Sequence, residues 1–540
     1  MLNYWAAIIV MHENDSIAKN YYLYRDTAGT GRWFMLPWDK DLTWGQNWMG
    51  GSVLNDEIWA DVDSIAGRTN VTPSHPQFGD STHLKYDYWW NRLVDALFKQ
   101  PDILEMYYRR LRTVMDEQLQ PPGTPYDQLK LEKYIDELVD LTDTEAAMSL
   151  AKWGSWETIQ TMAEASQILK DDYLAVRRYH LYTTHSKDGN TVGEIPTAQT
   201  PQLPIIINEI MYNPLGADAN NEFIELYNPS TTEAVDMSGW RLNGVALTFP
   251  GGAVLLPESY LVVVENDVQF RATYGSGIFV AAQYPGVLDD GGENLVLIDR
   301  QGNVIDQVRY DDDAPWPTSP DAGGYSLELI DASKDNDRPI NWAASADVNG
   351  TPGAVNSQAG TSSSVPDLWV NEVLPVNGSI NTDEQNEYEP WIEIYNASAN
   401  SIDLGGMYLT DDYGNPTKWE IPASTILNSG DWMIFWADAE TGDGPLHTNF
   451  VLSDAGGSVG LYTSTGEIID YLNYEPLPTD ISYGKYPDGT NLRREFITPT
   501  PAAQNYIKPR SVILNEYNAV SGSNFLRVLG AGPGQRRRLV

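Results

Sequence analysis

Residues 15–45 read DSIAKNYYLYRDTAGTGRWFMLPWDKDLTWG, and the folding of the first third of the chain turns on this stretch. Tyr21 to Arg25 (YYLYR) is aromatic and β-prone, Asp26 to Gly31 (DTAGTG) is turn chemistry, and Arg32 to Leu36 (RWFML) is β-prone again, which predicts a β-hairpin. With Tyr24 opposite Trp33, Asn20 comes level with Pro37, and Asp39 falls just beyond the open end beside Asn20. Three widely spaced polar residues, Asp15, Asn20 and Asp39, are thereby gathered at one place.

Working outward, residues 2–11 (LNYWAAIIVM) form an apolar run that predicts a buried helix leading into the Asp15 loop. Residues 46–82 have no clean periodicity and read as a long irregular segment. From Leu84 the period turns helical. Trp90, Leu93, Val94, Leu97 and Phe98 make one stripe; Pro101 and Asp102 end that helix and cap the next, where Leu104, Tyr107, Leu111, Val114 and Met115 repeat it. Leu131, Ile135, Leu138 and Val139 mark a third helix, and a fourth is expected over about 156–182. All four stripes are read as core.

The 540 residues suggest about three or four domains. A 42% apolar content with 18 Trp and 31 Tyr argues for filled interiors. The net charge of -41, from 34 Lys+Arg against 75 Asp+Glu, repels phosphate backbones and anionic lipid, so nucleic acid is not an expected partner. Such acidity suits a solvated surface in a salty or extracellular setting. The absence of Cys excludes disulfides and thiolate metal sites. No run approaches the roughly 18 apolar residues of a membrane span, and the N-terminus shows no signal-peptide pattern.

Apolar residues thin out around 184–203, as in a linker, and the text beyond is duplicated. IIINEIMYNP (205–214) recurs as LWVNEVLPVN (368–377) and in part as VILNEYNAV (512–520). FIELYN (223–228) returns as WIEIYN (391–396), and TPGAVN (351–356) as TPAAQN (500–505). Each unit consists of short β-branched and aromatic runs between Gly, Asn, Asp and Pro, with no sustained helical stripe, which predicts two antiparallel Ig-like β-sandwiches. QAGTSSSVP (358–366) reads as a joint between them. The third copy gives way to LRVLGAGPGQRRRLV and is expected to end before a second strand can form.

Phosphoryl transfer requires a carboxylate to accept the proton of the acceptor hydroxyl, and an amide oxygen with a second carboxylate to hold Mg²⁺. Protein kinases draw the first two from an Asp and an Asn five positions later, with the metal Asp after a hairpin. Asp15, Asn20 and Asp39 follow that order. The alternative is loop capping, which Asp and Asn perform constantly.

The run NDSIAKNYYLYRD with GRWFMLPWDKDLTWG, and above all PWDKDLTWG (37–45), resembles the CotH family, an atypical protein-kinase-like fold of spore-coat and surface proteins. NRL (91–93) and RRYHLY (177–182) fit the same domain. The resemblance implies Asp15 as the catalytic Asp, Asn20 and Asp39 as metal ligands with Asp41 as fallback, and Trp38 beside the nucleotide. ATP and Mg²⁺ are the implied cofactors and a protein Ser or Thr the acceptor. Kinase HRD and Asp-Phe-Gly are replaced by His12-Glu13-Asn14-Asp15 and Trp38-Asp39-Lys40. Only fourteen residues precede Asp15, so the phosphate-covering lobe of the family is expected to be missing and residues 1–540 alone to be inactive.

The repeats, through NEI…NEFIELYN and NEV…PWIEIYN, resemble the lamin tail domain, which implies Ig-like sandwiches that tether or bind proteins or glycans at a surface. Acidic clusters at Asp289-Asp290 with Glu293, Asp311-Asp312-Asp313, and Asp411-Asp412 carry oxygen ligands of the type Ca²⁺ takes, but their spacing favours solvated turns. The six His are scattered apart from His75 and His83, so a His-based zinc site is not expected. Trp33, Trp38, Trp44, Trp48 and Trp59 could stack on sugars, with core packing favoured.

The expected architecture is α+β and multidomain: a partial kinase-like domain over 1–185, mostly helical with a hairpin; a linker, 186–203; sandwiches over 204–357 and 367–506 joined by 358–366; and the start of a third unit over 511–540. The competing function is a noncatalytic adhesion or scaffold protein.

Overall fold

The computed structural model describes residues 1–12, 20–27, 31–40, 43–44, 92–154, 160–215, 219–361, 365–507, 512–518, 525–530 and 536–539. The architecture is α+β and multidomain, helical with a hairpin at the N-terminus and dominated by sheets thereafter. Two compact units divide it. The first holds 1–313, 317–337 and 341–361, and the second holds 314–316, 338–340 and 362–540.

In the first unit α1 (Leu2–Met11) buries Trp5, Ala6, Ile8, Ile9 and Val10. These pack with Tyr107, Leu111 and Met115 from α3 (Pro101–Val114) and its extension, and with Tyr173, Leu174 and Leu181 from the helical run 162–184. Between them, α2 (Arg92–Phe98) contributes Val94 and Phe98. The cap of α3 differs from expectation: Gln100 is the N-cap, Pro101 opens the helix and Asp102 lies in its first turn. Proline is preorganised for that position and needs no N–H there.

The third stripe meets the core only through its first residues. In α4 (Lys130–Trp153) the buried residue is Glu132, whose Oε1 accepts from Arg178 at 2.5 Å, and Leu131 and Ile135 are half-buried. Leu138, Leu141, Met148 and Trp153 are exposed. With so many Asp, Glu and Lys around it, the helix remains solvated on most of its surface.

The stretch after the helices is fixed rather than loose. Arg112 donates to Ser186, Asp188 and the Pro196 carbonyl, and Ile195 is fully buried. Arg110 bridges Asn3 Oδ1 (2.6 Å) and Asp236 Oδ2 (2.9 Å), so the same helix is bound both to α1 and to the first sandwich.

That sandwich sets a six-stranded sheet, in spatial order Val280–Gln283, Tyr260–Val264, Phe223–Tyr227, Ile206–Met211, Leu327–Leu329 and Trp342–Ala344, against a four-stranded one. It also holds an unexpected helix, Asp267–Tyr274, capped by Asn266 Oδ1 on the N–H groups of Val268 and Gln269. At 8 residues it is too short for a periodic stripe to show.

The second unit repeats the plan with five- and four-stranded sheets, built on Leu368–Leu374 paired to Trp391–Asn396. The third copy departs from expectation: Val512–Asn518 pairs antiparallel with Phe525–Gly530, which pairs with Arg536–Leu539. A second and a third strand do form there.

The duplicated Asn-Glu signature turns out to be interior. Glu209 and Glu225, and Glu372 and Glu393, are fully buried. Thr351 N–H donates to Glu209 at 2.8 Å and Gly353 N–H to Glu225 at 2.5 Å; in the second unit Thr500 N–H reaches Glu372 at 3.2 Å and Ala502 N–H reaches Glu393 at 2.7 Å. The TPGAVN and TPAAQN segments thus close each sandwich by satisfying its buried carboxyls. Burial pushes the Glu372 carboxyl up to about 7, against contacts from Ser482 and Thr500 that favour its ionised form.

Candidate functional site

β1 (Tyr21–Arg25) and β2 (Trp33–Pro37) form the expected hairpin, with the register displaced by one residue. Tyr24 pairs with Phe34, Arg25 with Trp33 and Tyr21 with Pro37. The reason lies in the turn, where Asp26 N–H bonds the Arg32 carbonyl (3.0 Å) and Gly31 N–H bonds the Asp26 carbonyl (2.7 Å), closing a loop longer by one position on the β2 side. Gly31 has φ 72, a conformation suited to residues without Cβ.

At the open end the shifted register sets Asn20 against Trp38, whose N–H donates to the Asn20 carbonyl at 3.1 Å. Asn20 Nδ2 donates to the Asp39 carbonyl at 3.1 Å, and Lys40 Nζ donates to the Asn20 carbonyl at 2.5 Å. Asn20 (φ 65) and Asp39 (φ 52) are both in the left-handed region, which Asn and Asp enter more readily than other non-glycine residues. The structure therefore brings Asn20 and Asp39 together. Asp15 and Asp41 lie outside the described residues.

The hairpin is anchored by few residues. Tyr21 meets Tyr4 and Trp5 edge-on, with ring centres 6.2 and 6.1 Å apart, and Met35 packs on the same core. Trp44 N–H donates to the Met11 carbonyl at 2.7 Å and its ring abuts Tyr173, so the chain past Asp39 returns to the end of α1 from which the Asp15 segment departs. Core packing does not hold for the two tryptophans of the hairpin: Trp33 is 57% and Trp38 59% exposed. Among the described residues, Tyr21 and Met35 are the strand residues that pack on the helical core, and Trp38 rests against Tyr22 at 5.8 Å. Trp48 and Trp59 fall outside the described residues.

Composition did not reveal a basic cluster behind this segment. His12 caps α1 in a left-handed conformation, is 2% exposed, and has no hydrogen-bond partner on either ring nitrogen. Burial first, then Arg177 and His180, hold it well below the usual histidine range. Arg177 donates to the Ile9 carbonyl at 2.6 Å and contacts His180 Nδ1 at 2.9 Å; the His180 and His185 rings are 4.6 Å apart. Histidines distant in sequence thus gather behind α1, and RRYHLY was the signal that could have indicated it.

Of the acidic clusters, Asp289 Oδ1 caps Gly291 N–H and Glu293 caps Asp289 N–H, while Asp411 pairs with Lys418 at 2.5 Å. Asp311, Asp312 and Asp313 bring carboxylate oxygens within 4.8 Å of one another.

The chain is thus a helical domain whose hairpin sets the Asn20 side-chain amide on the Asp39 backbone carbonyl, followed by tandem β-sandwiches. Residues 1–181 match the CotH kinase protein family, and residues 198–312 and 361–476 each match the lamin tail domain. The first third of the chain is thus similar to CotH kinase proteins, and two later segments are similar to lamin tail domains. It is 29% identical over 135 residues to inner spore coat protein H of Bacillus subtilis (strain 168), a match covering 24% of this chain and 33% of that protein. The chain thus aligns with about a third of that relative's length. In both sandwiches the final strands, Leu327–Leu329 with Trp342–Ala344 and Ser482–Lys485 with Arg493–Phe496, lie beyond the matched residues. No described helix is long and apolar enough to cross a membrane.

Proposed function

We propose that the CotH segment belongs to an atypical protein kinase that transfers phosphoryl from ATP to Ser or Thr of a protein partner, and that the lamin tail domains tether it at an extracellular surface or coat. The observation supporting this reading is the meeting of Asn20 and Asp39 at the open end of the hairpin. An amide oxygen and a carboxylate are hard donors of the kind Mg²⁺ accepts, so the residues fit the ion in type. Asn20 and Asp39, with Asp41 as fallback, would hold Mg²⁺, which when bound neutralises charge on the transferring phosphate. Asp15 would orient the acceptor hydroxyl and take its proton. The exposed Trp38 ring offers an apolar face for the nucleotide base. A coat or surface location draws on the name of the spore-coat relative and on the net charge of -41.

A noncatalytic scaffold is the second reading. In its favour, the Asn20 amide already serves the hairpin by bonding Asp39, and Tyr22, Tyr24, Trp33 and Phe34 offer an exposed aromatic surface. Mg²⁺-dependent stabilisation by ATP separates the two: a kinase site gives a thermal shift that Asp39→Ala abolishes, whereas a scaffold gives none.

A further inference from the structure

The second lamin tail domain contains a cluster of carboxylates at one end of its larger sheet. Trp391 and Trp436 are direct cross-strand partners. The loop preceding Trp391 and the loop following Trp436 therefore emerge side by side. The first carries Asp383 and Glu387 and the second Asp443, and each of the three offers an oxygen within 4.8 Å of the other two. Gln385 Nε2 donates to the Asp443 carbonyl at 2.8 Å, tying the loops together.

Asp383 is the informative member. It is 8% exposed; its Oδ1 accepts from the N–H groups of Gln385 (2.9 Å) and Glu387 (2.8 Å), whereas its Oδ2 is buried without a hydrogen-bond partner. Leaving a buried carboxylate oxygen unpaired is costly, and a cation removes that cost. Among the described residues, none of the three carboxylates is ion-paired with Lys, Arg or His. His447 on the same loop is committed to Asp438 and Glu384. Further carboxylates lie beside the cluster: Glu440 touches Asp443, and Glu389 follows Glu387 on the first loop.

The first lamin tail domain shows the contrast. There the strand Tyr260–Val264 leads into the helix Asp267–Tyr274, and the buried Asp267 is compensated by Arg271 at 3.0 Å and Arg32 at 3.5 Å. The second domain replaces that helix with an acidic loop that lacks such an arginine.

We infer that Asp383, Glu387 and Asp443 form a Ca²⁺ site that clips these two loops together. Calcium binds oxygen ligands at about 2.3–2.6 Å, so oxygens up to about 4.8 Å apart can share one ion. Loop carbonyls and water commonly complete its shell.

The test titrates metal-free 1–540 with Tb³⁺, following emission sensitised by neighbouring aromatic residues, and then displaces it with Ca²⁺. A saturable phase is expected that Ca²⁺ displaces and that weakens at least tenfold in both Asp383→Asn and Asp443→Asn, with Asp312→Asn leaving it intact. Asp383→Asn keeps the Oδ1 used by the backbone, and Asp443 is only half-buried, so both variants should fold. Absence of a saturable phase overturns the inference. So does a phase that survives in Asp383→Asn, or one that disappears in Asp312→Asn.

Discussion

Glu372 shows how a single residue couples the duplicated motif to solution conditions. Its folded pKa of about 7 lies above the ordinary 4.5, so the folded state holds a proton that the unfolded chain has already lost. Its contribution to stability is therefore fully present below about pH 4.5 and is lost as pH rises through about 7, with a slope of at most about 1.4 kcal/mol per pH unit. Urea midpoints of the second unit should fall between pH 5 and pH 7.5, and by less in Glu372→Gln; an equal fall in both proteins would contradict this role. None of this was legible in the sequence, where Glu in an Asn-Glu pair reads as polar and exposed. What identifies it as interior is the Thr-Pro segment returning from over a hundred residues away, a tertiary event that no local pattern encodes.

At the level of elements, periodicity told the two kinds of helix apart less well than expected. The stripes of α3 and α4 look alike as text, yet Leu111 is fully buried, whereas Leu138 of the α4 stripe is 40% exposed and Leu141 just beyond it 74%. Leu111→Ala should cost about 2–5 kcal/mol, while Leu141→Ala should change stability by less than about 0.5 kcal/mol; chemical denaturation of the two variants measures both. The hairpin itself was legible from aromatic runs around a Gly-rich turn. Its register was not, because closure depends on the bonds between Asp26 and both Gly31 and Arg32, and one position decides whether Asn20 faces Pro37 or Trp38. The pairing of Asn20 with Asp39 survived the slip, since both residues lie past the last strand pair. The burial of His12 is not encoded locally, because its neighbours Arg177 and His180 come from a helix more than 160 residues away.

For the whole molecule, the duplication was visible in the text because each copy repeats its strand-forming runs and closing signature. The contacts that join the CotH segment to the first sandwich, such as Arg110 with Asp236, were not. The acidic surface has a physical consequence of its own: with a net charge of -41, self-repulsion opposes the compact state and is screened by salt. Raising NaCl from about 0.02 M to about 0.5 M should raise the thermal midpoint, since the Debye length shortens from tens of ångströms to a few; an unchanged or lower midpoint would mean that the charges are already balanced locally. Under the proposed function, the hairpin end would hold Mg²⁺ and nucleotide. The most direct measurement is calorimetric titration of ATP into 1–540 with and without Mg²⁺, and into Asn20→Ala and Asp39→Ala. Binding should require Mg²⁺ and weaken at least tenfold in both variants. Binding indifferent to Mg²⁺ and to both substitutions, or no binding at all, would contradict it.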